Sequence, residues 1–277
     1  MQKIYKALTI AGSDSGAGAG IQADLKTFAA LGVYGTSVIT AITAQNTQGV
    51  TRIFELDSDL VAAQIDAVIQ DIGADAVKTG MLSNSAIIEV VTEKIREYRL
   101  PNLVVDPVMV SKSGDLLLRA DAIDALKSRL IPLAAVVTPN IPEAVRLTGI
   151  QGTRLKDLKE SARRIVNMGA KSVVIKGGHR RGPAADLFYD GKTFRSFSAA
   201  RVATRNTHGT GCTFSAAIAA NLAKGEKLEQ AVAHAKSYMT GAIRKSFAIG
   251  AGHSPVNHFY YFWGNLETQH LRKKKAR

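Results

Sequence analysis

The sequence contains one cysteine, Cys212, and one tryptophan among its 277 residues. A single cysteine excludes an intramolecular disulfide and also excludes a zinc site built on several cysteine ligands. No run of eighteen or more apolar residues is present, so no segment is predicted to span a membrane. The N-terminal stretch lacks the apolar segment and small-residue cleavage site of a secretory signal. These absences predict a reduced, cytoplasmic protein.

Acidic residues are also scarce, and the formal net charge is +13. Part of the excess lies in the basic tail, residues 267–277, and such a run is typical of a solvated chain end. No RNA-binding signature and no basic stripe with interleaved aromatic residues is present, so we expect no nucleic-acid partner. A positive surface also suits an anionic small substrate, because its potential steers phosphates into a cleft. A basic nucleic-acid-binding protein is the alternative of a different class.

Short apolar runs alternate along the chain with amphipathic helical patterns. The strand-like runs are KALTIAG, TSVITAIT, DAVKTG, NLVVDPVM, LAAVVTPN and KSVVIKGG. Continuous apolar runs of this kind are typical of parallel strands covered by helices on both faces. Asp190-Gly191, between alternating residues, predicts a hairpin. The pattern predicts an α/β fold with a mostly parallel sheet, in one domain over residues 1–266.

Ligands bind at the carboxyl ends of the strands in open parallel sheets, and here the first such end is glycine-rich. GSDSGAGAG, residues 12–20, is not a dinucleotide fingerprint, because Ile21 occupies the place of the third glycine. We interpret it as a ligand loop in which Asp14 and Asp24 accept hydrogen bonds, with a helix cap as the structural alternative. GADAVKT lacks the glycine that precedes the lysine of a P-loop, so that interpretation is rejected.

Three later strand ends carry charged groups. Asn140 and Glu143 have the spacing of a helix capping box, and Glu143 is also suited to a Mg²⁺-bound water. Asp106, at the end of the preceding predicted strand, would supply a second acidic group, although an exposed strand end is its structural alternative. Lys176, followed by two glycines, is placed to reach a triphosphate as a point charge.

The stretch HGTGCTFSAA places Cys212 where a helix is predicted to begin. The turn from Gly209 to Cys212 would present free backbone N–H groups to an anion. The same field is expected to lower the pKa of the Cys212 thiol, which favours a functional cysteine over a buried structural one. A cysteine hydrolase is a further alternative, but no residue specifies a triad around His208.

Taken in order, the motifs of residues 11–259 resemble those of a known enzyme family. They are AGSDSGAGAGIQADLKTF, TAQNT, KTGML, DPVM, SGD, TPNIPEA, KGGH, NTHGTGC and GHSPVNHF. The chain thus resembles the hydroxymethylpyrimidine and hydroxymethylpyrimidine-phosphate kinases of thiamine biosynthesis, in the ribokinase-like superfamily. The resemblance implies a three-layer α/β/α domain, a homodimer, and ATP and Mg²⁺ as cofactors. It also implies two phosphorylations, first of the hydroxymethyl oxygen of an aminopyrimidine and then of the resulting monophosphate.

The resemblance assigns roles to individual residues. The pyrimidine would contact Gly12, Asp24, Gln45, Met81 and Val108. The nucleotide would contact Asn140, Lys176 and Thr207, and the metal would lie near Asp106 and Glu143. The anion hole would be Gly209, Thr210 and Gly211, and Cys212 would be the general base, where sugar kinases of the superfamily carry an Asp.

Two related kinases are alternatives. A pyridoxal kinase is the nearest one, since pyridoxal is also a ring with a hydroxymethyl group. A sugar kinase is disfavoured, because position 212 is not acidic. Some relatives carry Glu where Gln45 stands, so a different hydrogen-bond pattern is expected at that place. The segment RRGPAAD, residues 180–186, is the predicted lid over the substrate.

Overall fold

The computed structural model describes residues 3–110, 114, 117–119, 121–178 and 182–263. The predicted basic tail, 267–277, lies outside the described residues. Within them the chain forms nine strands: β1 (Lys6–Asp14), β2 (Tyr34–Gln45), β3 (Val50–Glu55), β4 (Ala76–Thr79), β5 (Leu103–Val105), β6 (Val136–Val137), β7 (Val173–Ile175), β8 (Ala184–Tyr189) and β9 (Phe194–Ala199).

The helices of the described ranges lie mostly between these strands. They are α1 (Gly20–Ala30), α2 (Ser58–Asp71), α3 (Ser85–Glu97), α4 (Ala122–Ala125), α5 (Ile141–Thr148), α6 (Leu155–Asn167), α7 (Thr210–Ala223) and α8 (Leu228–Arg244). Helix α4 continues into a π-helical turn, Leu126–Leu130, and a 3-10 turn, Ile131–Leu133. In this part of the chain, no helix has the length and apolar character needed to cross a membrane.

All the strands belong to one sheet in the order β3-β2-β1-β4-β5-β6-β7-β8-β9. The neighbours from β2 to β7 are parallel, whereas β3, β8 and β9 are added antiparallel. Val104 packs in the core shared with α7 and α8, and the next residue, Val105, packs in the core shared with α3 and α6. Successive strand residues point to opposite faces, so a strand buried on both faces is mostly apolar. The predicted α/β/α architecture with a mostly parallel sheet is confirmed.

The hairpin prediction is confirmed, and one strand was missed. Asp190 Oδ1 accepts hydrogen bonds from the backbone N–H groups of Lys192 and Thr193, which closes the β8–β9 turn. Strand β3 was not predicted, because its alternating residues are half exposed at the sheet edge and carry charges. The last residues of the predicted lid are strand residues of β8 paired with β9, and residues 179–181 lie outside the described ranges.

The order of the sheet determines where functional groups meet. Strands β1, β4, β5, β6 and β7 run parallel, so their carboxyl ends lie at one edge of the sheet. The glycine loop that leads into α1 follows β1 at this edge, and α5 begins shortly after β6. The loop edge is therefore where a ligand is expected to bind.

Candidate active site

A cavity of about 480 Å³ lies at the carboxyl edge of the parallel strands. Its wall is built from the glycine loop after β1, the ends of the central strands and the turn before α7. The residues predicted for substrate, nucleotide, metal and catalysis line it, with the exception of Asp24: Gly12, Gln45, Met81, Asp106, Val108, Asn140, Glu143, Lys176, Thr207, Gly209, Thr210, Gly211 and Cys212.

The turn before α7 packs directly against the glycine loop. Gly209 is the N-cap of α7 and has a left-handed backbone with φ of 75°. A Cβ atom at Gly209 would collide with the carbonyl oxygen of Gly18, and one at Gly18 would collide with the ring of His208. Only glycine allows the two turns to approach this closely.

Helix α7 begins at Thr210, two residues before Cys212 and earlier than the sequence predicted. In the described structure its N-cap has no side-chain hydrogen bond, and its first turn carries no acidic residue. The Thr210 N–H bonds to the Thr207 carbonyl and the Thr213 N–H bonds to that of Gly209, which leaves the N–H groups of Gly211 and Cys212 for an anion in the cavity, where the helix dipole adds positive potential.

Lys176 brings a positive charge to the same turn. Its Nζ lies 2.8 Å from Asp106 Oδ1, and a Cβ atom at Gly211 would be 3.3 Å from that Nζ. Asp106 is 2% exposed, and its second oxygen, Oδ2, has no hydrogen-bond partner among the described residues. The end of the cavity around Lys176 and Asp106, called the phosphate end below for the ligand it would suit, therefore combines a lysine, a helix N-terminus and a carboxylate oxygen without a hydrogen-bond partner.

Glu143 serves as a structural cap in addition to lining this end. Its Oε2 accepts a hydrogen bond from the backbone N–H of Asn140 at 2.7 Å, and Asn140 Oδ1 accepts one from the Glu143 N–H. Burial raises the pKa of Glu143 to about 7, although the positive charge of Lys176 opposes the shift. Both interpretations of this motif, a capping box and an acidic group at the cavity, therefore apply to the same side chain.

The opposite end of the cavity is organised by Asp14. Its carboxylate accepts hydrogen bonds from the backbone N–H groups of Gly16, Gly18 and Ala19 and from the ring of His208. Burial alone would raise the pKa of Asp14, but these hydrogen bonds hold it below its usual value. Asp14 therefore shapes the glycine loop from inside, instead of reaching out to a ligand as expected.

Comparison with known proteins agrees with this arrangement. The family model described as phosphomethylpyrimidine kinase matches residues 14–257. The chain belongs to the phosphomethylpyrimidine kinase family. It is 49% identical over 267 residues to the hydroxymethylpyrimidine/phosphomethylpyrimidine kinase of Bacillus subtilis, covering 96% of this chain and 98% of that protein.

One further sequence relative and one solved structure are also similar to this kinase. It is 53% identical over 252 residues to the thiamine biosynthesis bifunctional protein ThiED of Geobacter sulfurreducens. That match covers 91% of this chain but 51% of the longer relative, so the chain spans about half of its length. The crystal structure of an ADP complex of Bacillus subtilis pyridoxal kinase superposes with a TM-score of 0.88 at 43% identity, covering 94% of this chain and 99% of that one. The fold and the use of an adenine nucleotide are thus family properties.

Asp24 is not among the residues that line the cavity of this kinase, and its predicted contact with the pyrimidine stays a prediction. Its side chain is fully buried, and its Oδ2 lies 2.8 Å from Lys78 Nζ and 2.6 Å from Thr9 Oγ1. Lys78 lines the cavity, but it was not predicted as a site residue. The P-loop interpretation of its sequence was rejected, and no other local pattern indicated a function for it. Burial would lower the pKa of Lys78, but the neighbouring Asp24 carboxylate raises it above its ordinary value, so the lysine stays charged.

The expectation that the helix field lowers the pKa of Cys212 is also wrong. Burial raises the pKa of this thiol to about 11, and the charges of Asp24 and Asp106 add to that effect. The positive charge of Lys78 and a hydrogen bond from the backbone N–H of Gly20 act in the opposite direction. Cys212 is therefore a neutral thiol at pH 7 in the free kinase.

Other cavity residues were not found from the sequence. His208 bonds to Asp14 at 2.9 Å, whereas the sequence motif indicated a role for its neighbour Gly209. Lys236 forms a partly buried pair with Asp186 at 2.7 Å, and the second oxygen of Asp186 accepts from the Gly177 N–H. These partners are far apart in sequence, so no local spacing reveals them. The family motifs that contain His208 and Lys78 were the available signal.

Proposed function

We propose that this kinase transfers the γ-phosphoryl group of ATP to the hydroxymethyl oxygen of 4-amino-5-hydroxymethyl-2-methylpyrimidine, and then a second one to the resulting monophosphate, in thiamine biosynthesis. The relatives with this name match the chain over nearly its whole length. The observation that carries the proposal is one cavity lined by the N-terminus of α7 and Lys176 together with the polar side chains of Gln45 and His208. Such a cavity brings a phosphate donor and a polar ring together.

The donor set at the phosphate end fits Mg²⁺. Asp106 keeps an unpartnered buried oxygen, and Glu143 lies at the same wall. Among the described residues no three carboxylate, imidazole or thiol groups cluster to form a metal cage, and Mg²⁺ needs only one or two protein carboxylates besides its waters. Asp106 would hold the ion directly and Glu143 through water. The ion, when bound, neutralises phosphate charge during transfer.

The protein side of the transfer follows from the positions of its charged groups. Lys176 and the N–H groups at the start of α7 would bind the transferring phosphoryl group, whose negative charge is spread over its oxygens. Positioning and charge neutralisation provide most of the catalysis in this class of reaction. Lys176 keeps its place because Asp106 anchors it at the edge of the sheet.

Cys212 is proposed as the group that takes the proton of the hydroxymethyl oxygen. Support comes from its position in the turn before α7 and from Lys78, whose buried charge favours the thiolate. Since the resting side chain is a thiol, its proton must first pass to water, and the thiolate then accepts the proton of the hydroxymethyl oxygen as that oxygen bonds to phosphorus. The second phosphorylation has an anionic acceptor and needs no base at pH 7.

A pyridoxal kinase activity is the second candidate, because the chain superposes closely on a pyridoxal kinase over nearly its whole length. The two are distinguished by an ATP-consumption screen with hydroxymethylpyrimidine, its phosphate, pyridoxal and ribose as acceptors. We expect the highest kcat/KM with the two pyrimidines. A higher value with pyridoxal would reverse the order of the two candidates.

We also propose that the kinase is a homodimer. Ile42 and Phe54 are paired across β2 and β3 and are 49% and 65% exposed, so the edge of the sheet presents an apolar patch. Light scattering during gel filtration should give twice the mass of the chain, and Phe54→Glu should give a monomer. A monomer at all concentrations of the unaltered protein would contradict the proposal.

A further inference from the structure

The side chain of Gln45 lies in the cavity between Thr43 and His208. Its backbone is fixed by Ser15, whose hydroxyl donates to the Gln45 carbonyl and accepts from the Gln45 N–H, both at 2.8 Å. The two ends of the amide therefore have definite neighbours. Because an amide oxygen and nitrogen are nearly equal in size, the hydrogen-bond partners decide which end faces which neighbour.

The His208 end of the amide requires an oxygen. Asp14 Oδ2 lies 2.9 Å from His208 Nε2, and a carboxylate only accepts hydrogen bonds, so Nε2 carries the proton. The nearer end of the Gln45 amide lies 3.4 Å from the same Nε2. A nitrogen at that end would point an N–H group of Gln45 at the Nε2–H of His208. An oxygen there would instead accept a second hydrogen bond from Nε2–H.

The Thr43 end of the amide requires a nitrogen. Thr43 Oγ1 lies 2.9 Å from the carbonyl oxygen of Ser13 and 3.1 Å from the other end of the Gln45 amide. The hydroxyl has one proton, so two acceptors there would leave one of them unsatisfied. An amide nitrogen instead donates to Thr43 Oγ1 while the hydroxyl donates to Ser13. Both ends thus indicate the same orientation.

We propose that His208, anchored by Asp14, is a positioning residue that fixes the polarity of Gln45 and thereby selects which ring edge binds. The Gln45 oxygen keeps one lone pair towards the ligand on the His208 side, and the nitrogen keeps one hydrogen on the Thr43 side. This arrangement fits a ring edge with an amino group, which donates to the Gln45 oxygen, next to an unprotonated ring nitrogen, which accepts from the Gln45 N–H. An oxo group next to a ring N–H has the reverse order and is rejected.

The inference rests on the proposed function, because the ring is taken to be the phosphoryl acceptor. Its test compares 4-amino-5-hydroxymethyl-2-methylpyrimidine with the same ring carrying a 4-oxo group. We measure kcat/KM for both with ATP, and also their dissociation constants by calorimetry without nucleotide. The unaltered kinase should favour the amino ring by about 100-fold or more, since the wrong edge leaves buried polar groups unpaired.

Two substitutions of His208 separate positioning from packing. His208→Leu removes the donor, so the Gln45 amide can rotate by 180°. The preference for the amino ring over the oxo ring should then fall below about tenfold. The change should appear in KM and the dissociation constants more than in kcat. His208→Gln returns an N–H near the same place and should restore most of the preference. His234→Gln, on an exposed histidine paired with Glu226, is the matched control and should match the unaltered kinase.

A second measurement needs no variant. Nitrogen-15 NMR of the histidine rings should show one buried ring, absent from the spectrum of His208→Gln, that is protonated at Nε2. A His208 ring protonated at Nδ1 alone would overturn the inference, as would a folded His208→Leu protein with the full preference for the amino ring. If the unaltered kinase binds the amino ring selectively but does not phosphorylate it, the proposed function fails while the inference stands.

Discussion

Lys176 Nζ lies 2.8 Å from Asp106 Oδ1, and Asp106 Oδ2 has no hydrogen-bond partner in the described part of the chain. Nearly all buried polar atoms in folded proteins have a partner, so an unpartnered carboxylate oxygen on a residue that lines a cavity is a candidate ligand contact. The same lysine borders Gly211 in the turn before α7. In the proposed function, this residue pair would join the site of a cation to the site of an anion, as phosphoryl transfer from a metal–nucleotide complex requires.

Asp106→Asn tests the cation side of this pair. The amide oxygen still accepts from Lys176, but the negative charge is lost, so we expect kcat/KM to fall by about 100- to 1000-fold and the Mg²⁺ requirement to rise. Initial rates across a Mg²⁺ titration measure both effects. Glu229→Gln, which removes an exposed partner of Arg195, is the control. An unchanged Mg²⁺ dependence in Asp106→Asn would show that Asp106 does not hold the ion.

Glu143→Gln should stabilise the metal-free protein at high pH. The pKa of Glu143 is raised from 4.5 to about 7, so the folded state binds more protons than the unfolded state between these values. Stability contributed by the protonated form is therefore lost as pH rises through 7. Gln keeps the capping box but cannot ionise.

The expected gain for Glu143→Gln is about 3 kcal/mol at pH 8.5 and about 1 kcal/mol or less at pH 5, from urea unfolding in EDTA. Activity should nevertheless fall, since the acidic group near the metal is lost. Equal effects on stability at the two pH values would contradict a raised pKa for Glu143.

Lys78→Met should be strongly destabilising, because it leaves Asp24 as a fully buried carboxylate without its cation. Breaking a buried pair in this way costs about 3–5 kcal/mol. Adding Asp24→Asn removes the second charge and should recover part of that loss, although activity should stay low because Lys78 lines the cavity. Arg195→Met, which breaks an exposed pair, should change stability little. No recovery in the double variant would contradict an electrostatic cause.

Cys212→Ala should slow the first phosphorylation more than the second, since only a hydroxyl acceptor needs to lose a proton. With a pKa of about 11, roughly one thiol in 10⁴ is ionised at pH 7. The first step should therefore accelerate by up to tenfold per pH unit from 7 to 9 in the unaltered kinase and lose this slope in Cys212→Ala. Separate assays with the two acceptors measure it. Equal losses in both steps would rule out a base role.

The fold was predictable because its strands are buried on both faces. Neighbours such as Val104 and Val105 enter different cores, which disfavours polar positions and produces the apolar runs. The edge strand β3 was missed for the opposite reason, since half-exposed alternation with charges is a weak signal. The strand-end rule then located the cavity, because parallel strands bring their carboxyl ends together.

The electrostatics of the site were less predictable than its location. Asp24 and Lys78 are 54 residues apart and pair across the interior, so no local spacing reveals that this carboxylate is neutralised by a buried lysine. The pKa of Cys212 is raised by burial, and this effect exceeds the opposing charge of Lys78. Local patterns identify a helix N-terminus, but the balance of charges around it depends on the whole tertiary structure.

The central claim is that one cavity phosphorylates the aminopyrimidine twice. The most direct test follows a mixture of the purified kinase, Mg²⁺, ATP and 4-amino-5-hydroxymethyl-2-methylpyrimidine by phosphorus-31 NMR. We expect a monophosphate resonance to appear and decline while the resonances of a diphosphate grow, with two ATP molecules converted to ADP for each ring. A ring that stays unphosphorylated, under conditions in which pyridoxal is converted to its phosphate, would contradict the claim.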